Sequence, residues 1–97
     1  MTVKMALKHI AIIKEILAPY PNTFFIFGSR AKSTHKKFSD LDLCYKKDIP
    51  DLVIAEIADA FDKSDLPFKV DFVAWRRCTP QFQALIKNDL RPVENFR

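Results

Sequence analysis

Glycine is nearly missing from this chain: Gly28 is the only one in 97 residues, where an average protein gives glycine about seven per cent of its positions. A chain that keeps one glycine directly after an apolar run needs backbone freedom at that point. Cysteine is scarce too. Cys44 and Cys78 lie far apart with no metal-type spacing, so they read as buried or incidental thiols rather than a disulfide or a zinc site, in keeping with a reducing cytoplasm. Long apolar runs are also missing. Lys4, Lys8 and His9 interrupt the N-terminal pattern, which therefore reads as neither a signal peptide nor a membrane span.

What is present fits one folded domain. Apolar residues make up 48% of the chain and nine phenylalanines raise the aromatic share, which argues against disorder. A domain of this size holds one modest core and leaves no room for a second lobe, so a bulky acceptor is expected to come from outside. The net charge of +4 is moderate. Arg30, Lys32, Lys36 and Lys37 form its one local cluster, which suits a polyphosphate or an acidic partner; a solvated lysine loop is the alternative for Lys36 and Lys37. No surface of interleaved aromatic and basic residues is evident, so nucleic acid is not expected as the primary partner.

Periodicity predicts a first helix over Val3 to Leu17, carrying Val3, Ala6, Leu7, Ile10, Ile13, Ile16 and Leu17 on its apolar side and closed by Pro19 and Pro21. Thr23 to Phe27 reads as a buried strand, Ser29 to Ser33 as a short helical turn, Thr34 to Ser39 as a loop and Asp40 to Tyr45 as a second strand. A further helix starts at Pro50 and Asp51, with Val53, Ile54, Ile57 and Phe61 as its stripe and Ser64, Asp65 and Pro67 as its breakers. Lys69 to Trp75 is a third strand. Thr79-Pro80 opens a last helix bearing Phe82, Leu85 and Ile86. This order predicts a small α/β unit, a three-stranded mixed sheet packed by about four helices, without repeats or linkers.

Three motifs carry chemistry. A strand running into Gly28-Ser29 and a helical turn presents backbone N–H groups and a hydroxyl to a phosphate, and Arg30 adds a charge-assisted contact; a plain turn with a capping serine is the alternative. Asp40 and Asp42, two apart on a strand, share a face about 6.5 Å apart and make an oxygen platform for hard cations such as magnesium, while Leu41 and Leu43 face the core. Half burial of an edge strand would produce the same alternation. Asp71 decides between these readings. It interrupts the apolar run Val70-Asp71-Phe72-Val73-Ala74 at a cost unless paired or bound to metal, and a strand beside Asp40 and Asp42 would let three carboxylates converge. An ordinary solvent-facing aspartate beside Lys69 is the alternative. Trp75 reads as a core residue, and His9 and His35 are assigned no role.

Gly28-Ser29-Arg30-Ala31, then Ser39-Asp40-Leu41-Asp42-Leu43, then Asp71 within Val70-Asp71-Phe72-Val73, resembles the minimal nucleotidyltransferases (MNT type) of the DNA polymerase beta superfamily. By that resemblance Gly28 and Ser29 hold a nucleoside triphosphate, Asp40 and Asp42 bind two magnesium ions, and Asp71 is the third acidic ligand and base. The activity implied is transfer of AMP from ATP to a hydroxyl. The partner implied is a HEPN-domain protein, which such a chain neutralises as the antitoxin of a toxin–antitoxin pair, in a homo- or hetero-oligomer. The basic cluster at Lys36 and Lys37 and the end near Arg76 and Arg77 are expected, from the residues themselves, to border a partner contact. Ser33 stands where the family usually carries a second glycine, and this departure supports the other expectation: an inactive chain of the same fold that works by binding alone.

Overall fold

The computed structural model describes residues 5–28, 30–31 and 40–95. Helix α1 (Leu7–Leu17) leads into strand β1 (Phe24–Phe27); β2 (Leu41–Tyr45), α2 (Asp51–Asp62) and β3 (Val70–Ala74) follow. A 3-10 turn (Trp75–Arg77), α3 (Pro80–Ile86), β4 (Arg91–Pro92) and a second 3-10 turn (Val93–Asn95) complete the order. The sheet runs β3-β2-β1-β4. β1 is antiparallel to both neighbours, whereas β2 and β3 are parallel. A parallel pair needs a crossover, and α2 supplies it.

Alternation along the strands divides the core in two. Phe24, Ile26, Leu41, Leu43 and Tyr45 join Ile10, Ile13 and Leu17 of α1 and Ile57 and Phe61 of α2 in the larger cluster. Phe24 lies at its centre, with ring centroids 5.9 Å from Tyr45 and 5.8 Å from Phe72. The opposite face holds a smaller cluster of Phe27, Cys44 and Ile86, with Val73 and Phe82 against it. Short α3 thus covers only part of that face, and the residues at the head of β2 and β3 stand beyond it.

The α/β class and mixed sheet are those read from the sequence, with three differences. The sheet has a fourth strand, because the tail returns along β1, pairing Pro92 with Phe25 and Arg91 with Ile26. Two residues including a proline carry no alternation to read, and proline is tolerated there because the strand is an edge. Glu94 pins the tail by accepting the Asn22 N–H at 3.0 Å. Secondly, α1 starts at Leu7, with Ala6 at its cap, and the expected start at Val3 lies outside the described residues. The helical turn over Ser29 to Ser33 lies outside them too, save for Arg30 and Ala31, which form a turn. Described α-helices therefore number three. Thirdly, Leu7 and Leu85, expected on apolar sides, are 77% and 70% exposed. Two-turn α3 makes its buried contact through the i, i+4 pair Phe82 and Ile86, one step around from Leu85.

Thr79 and Pro80 do open α3. The Thr79 hydroxyl accepts the Phe82 N–H at 3.1 Å, and Pro80 takes the first helical position. Leu43→Ala should cost about 2–5 kcal/mol in chemical denaturation, as expected for a fully enclosed leucine, whereas Leu85→Ala should stay within about 0.5 kcal/mol of wild type. Equal losses would mean that α3 buries Leu85 after all.

Candidate active site

The head of β2 is the meeting point of the motifs. Register places Asp42 opposite Phe27 of β1 on one side and opposite Asp71 of β3 on the other. The residue after Phe27 is Gly28, with φ at +78°, so the turn needs the left-handed conformation that glycine adopts without steric cost. A Cβ built there would stand 2.7 Å from Asp42 Oδ2. The glycine is therefore required for its backbone angle, and a side chain there would also displace the Asp42 carboxylate.

Two carboxylates side by side on parallel strands repel. Burial raises the Asp42 pKa above its ordinary value, and the charges of Asp71 and Asp40 push it the same way. Asp71 is partly offset by Lys69, whose Nζ lies 3.7 Å from Oδ1. Both side chains are well exposed, and a pair of that length contributes little. Asp40 is exposed and stands just before the strand, where the Leu41 N–H bonds Lys69 O at 2.8 Å and ties the heads of β2 and β3 together. The structure thus brings Asp42 and Asp71 into register and leaves Asp40 at their margin. Among the described residues no group of three or more His, Cys, Asp and Glu side chains is gathered so as to hold a metal ion. The donors nevertheless fit a hard divalent cation in kind: they are carboxylate oxygens, and those of Asp42 and Asp71 are carried on adjacent strands in register.

Arg30 is placed differently from a side chain held out to solvent. Only 2% of it is exposed, and its guanidinium carbon stands 3.9 Å from the centroid of the Phe68 ring. A desolvated cation–π contact of this kind is worth about 2 kcal/mol. Burial lowers the Arg30 pKa while the Asp40 charge raises it. The same Phe68 ring meets His9 edge-on at 5.7 Å, and burial, then Lys8 and Arg30, lowers the His9 pKa. Sequence reasoning passed over Phe68 and assigned His9 no role. Phe68 had one signal, an aromatic residue after the helix breaker Pro67 and three positions before Asp71.

Ser29, Lys32, Ser33, His35, Lys36, Lys37 and Ser39 lie outside the described residues. Arg76 and Arg77 are ion-paired, to Asp48 at 2.8 Å and to Asp51 at 3.1 Å. Trp75 is half-buried, with the Lys46 ammonium 4.9 Å from its ring. Cys44 is buried, its thiol pushed up to about 11 chiefly by desolvation, and both cysteines are free.

A carboxylic acid whose pKa is raised by folding holds its proton more tightly in the native state, so ionising it costs stability once the pH exceeds the unfolded value. Asp42→Asn should therefore raise the thermal midpoint near neutral pH by about 2–5 °C, and the gain should disappear below about pH 4, where the wild-type group is protonated in both states. Calorimetry across that range checks the sign, and a gain persisting in acid would contradict it. Magnesium should raise the midpoint of wild type but not of Asp42→Asn. Gly28→Ala should cost about 1–2 kcal/mol from the backbone angle alone, with the Asp42 contact adding to it; denaturation at unchanged circular dichroism measures the loss.

Comparison with known proteins identifies the family. The family model described as polymerase beta, nucleotidyltransferase matches residues 11–92, a span from α1 to β4 that includes Gly28, Asp40, Asp42 and Asp71. The chain is also 38% identical over 84 residues to a protein of Haemophilus influenzae named as a probable protein adenylyltransferase MntA, covering 82% of this chain and 74% of that protein. A parallel β2–β3 pair with aspartates in register, facing a glycine turn, is the arrangement those motifs occupy here, and the chain belongs to the polymerase beta nucleotidyltransferase family.

Proposed function

We propose that this nucleotidyltransferase moves AMP from ATP to a hydroxyl of a partner protein in a magnesium-dependent reaction. The observation that carries the reading is the Asp42–Asp71 register beside Gly28: acidic oxygens and an open backbone turn meet at one end of the sheet. Gly28 and Ser29 hold the triphosphate through backbone and hydroxyl groups, and Arg30 adds positive charge from within the turn. Asp40, Asp42 and Asp71 would hold magnesium, which supplies neutralising charge for the phosphates in flight.

Asp71, half-exposed and nearest the free edge of the sheet, accepts the proton of the acceptor hydroxyl. The hydroxyl oxygen bonds to the α-phosphorus in line with the bridging oxygen, whose bond breaks with its electron pair, and pyrophosphate leaves. A protein acceptor is supported by the name of the relative. The MNT-type motifs favour a HEPN-domain toxin as that partner, with this chain as its cytoplasmic antitoxin. No described helix is long and apolar enough to cross a membrane.

The test is intact-mass measurement of a co-expressed HEPN-domain protein after incubation with this chain, magnesium and ATP. Adenylyl increments on the partner are expected, reduced about a hundredfold or more by Asp42→Asn. Rapid transfer to a small molecule with none to protein would overturn the acceptor, and an unmodified partner that is still neutralised would assign the effect to binding.

A further inference from the structure

We propose that Arg30 and Phe68 form a clamp that holds the glycine turn at a fixed position relative to Asp42 and Asp71, making Phe68 a positioning residue for the nucleotide site. The proposal rests on the adenylyl-transfer reading for its functional consequence, and on the geometry alone for the clamp. Arg30 follows Gly28 by two residues and Phe68 precedes Asp71 by three, so a contact between them joins the turn to the segment that carries the last carboxylate. The guanidinium carbon stands over the ring, 3.9 Å from its centroid. Arg30 and Phe68 are 2% and 9% exposed, so water competes little for the contact.

The clamp is anchored from below and from the side. Phe68 belongs to the larger core cluster, together with Ile10 and Phe61, and His9 of α1 braces its ring edge-on at 5.7 Å. The next residue, Lys69, accepts the Leu41 N–H, so the segment holding the ring is fixed to the head of the strand that bears Asp42. Three chain segments, bearing Gly28, Asp42 and Asp71, thereby meet around one aromatic ring. A lysine at position 30 would keep the charge, but it has no planar face to lay on the ring. An arginine acting only as a direct phosphate ligand would be indifferent to the identity of residue 68.

The experiment compares the full chain with Phe68→Leu, Phe68→Tyr and Arg30→Lys, following amide hydrogen exchange without nucleotide and calorimetric affinity for magnesium-ATP. Phe68→Leu and Arg30→Lys should each speed exchange in residues 27–31 about tenfold while exchange in β2 stays as in wild type, and each should weaken magnesium-ATP about fivefold to tenfold. Phe68→Tyr, which keeps the ring, should restore both. Wild-type exchange in that turn in Phe68→Leu would overturn the clamp. If Phe68→Leu loosens the whole chain, Arg30→Lys decides alone: local loosening supports the clamp and an unchanged turn overturns it. A wild-type chain that fails to bind magnesium-ATP would overturn the functional reading, while the exchange data still decide the clamp.

Discussion

Partial burial of a carboxylate beside two others, at the head of the parallel β2–β3 pair, is the constraint around which the rest of the molecule is arranged. Asp42 is half-buried, faces Asp71 across the ladder and has Asp40 two residues away, and its pKa is raised accordingly. A structure optimised for stability alone would place an apolar residue there, as it does at Leu41 and Leu43 on the other face. Keeping carboxylates at this point costs stability that the two clusters of core residues must offset, a pattern typical of sites kept for chemistry.

The surroundings of Asp42 follow from that constraint. Gly28 takes a left-handed backbone angle and leaves the space that Asp42 Oδ2 approaches, so the chain's only glycine serves a turn and a carboxylate at once. The opposite face of the sheet carries the main core, with α1 and α2 packed on Phe24, Ile26, Leu41 and Leu43. That support lets the acidic face stay partly open, since short α3 covers only the Phe27, Cys44 and Val73 region. Rigidity beneath and access above are what a group-transfer site requires.

Positive charge is distributed with the same economy. Arg76 and Arg77 are matched by Asp48 and Asp51, which neutralises the end of the molecule that the sequence reading gave to a partner contact. Lys69 meets Asp71 only at 3.7 Å, from a solvated position. Among the described residues, Arg30 is the cation set deepest beside the turn, within electrostatic reach of Asp40.

The sequence by itself determined the elements with strong periodicity, the α/β class and the identity of the three acidic positions. Alternation in Asp40-Leu41-Asp42-Leu43, a carboxylate inside Val70-Asp71-Phe72, and Thr79-Pro80 at a helix start are local signals, set by which face a side chain takes or which N–H needs a partner. Tertiary structure alone decided the rest. The fourth strand exists because two tail residues find the free edge of β1, a pairing that no local pattern encodes. Leu85 faces outward because α3 is too short to bury a full stripe. Asp42 and Asp71 became neighbours through the register of two strands about thirty residues apart, and Arg30 is buried with its guanidinium carbon over the ring of Phe68, a residue distant in sequence. Local signals fix what a residue can do, and long-range packing fixes what it meets, because contact energies depend on neighbours that only the closed fold supplies.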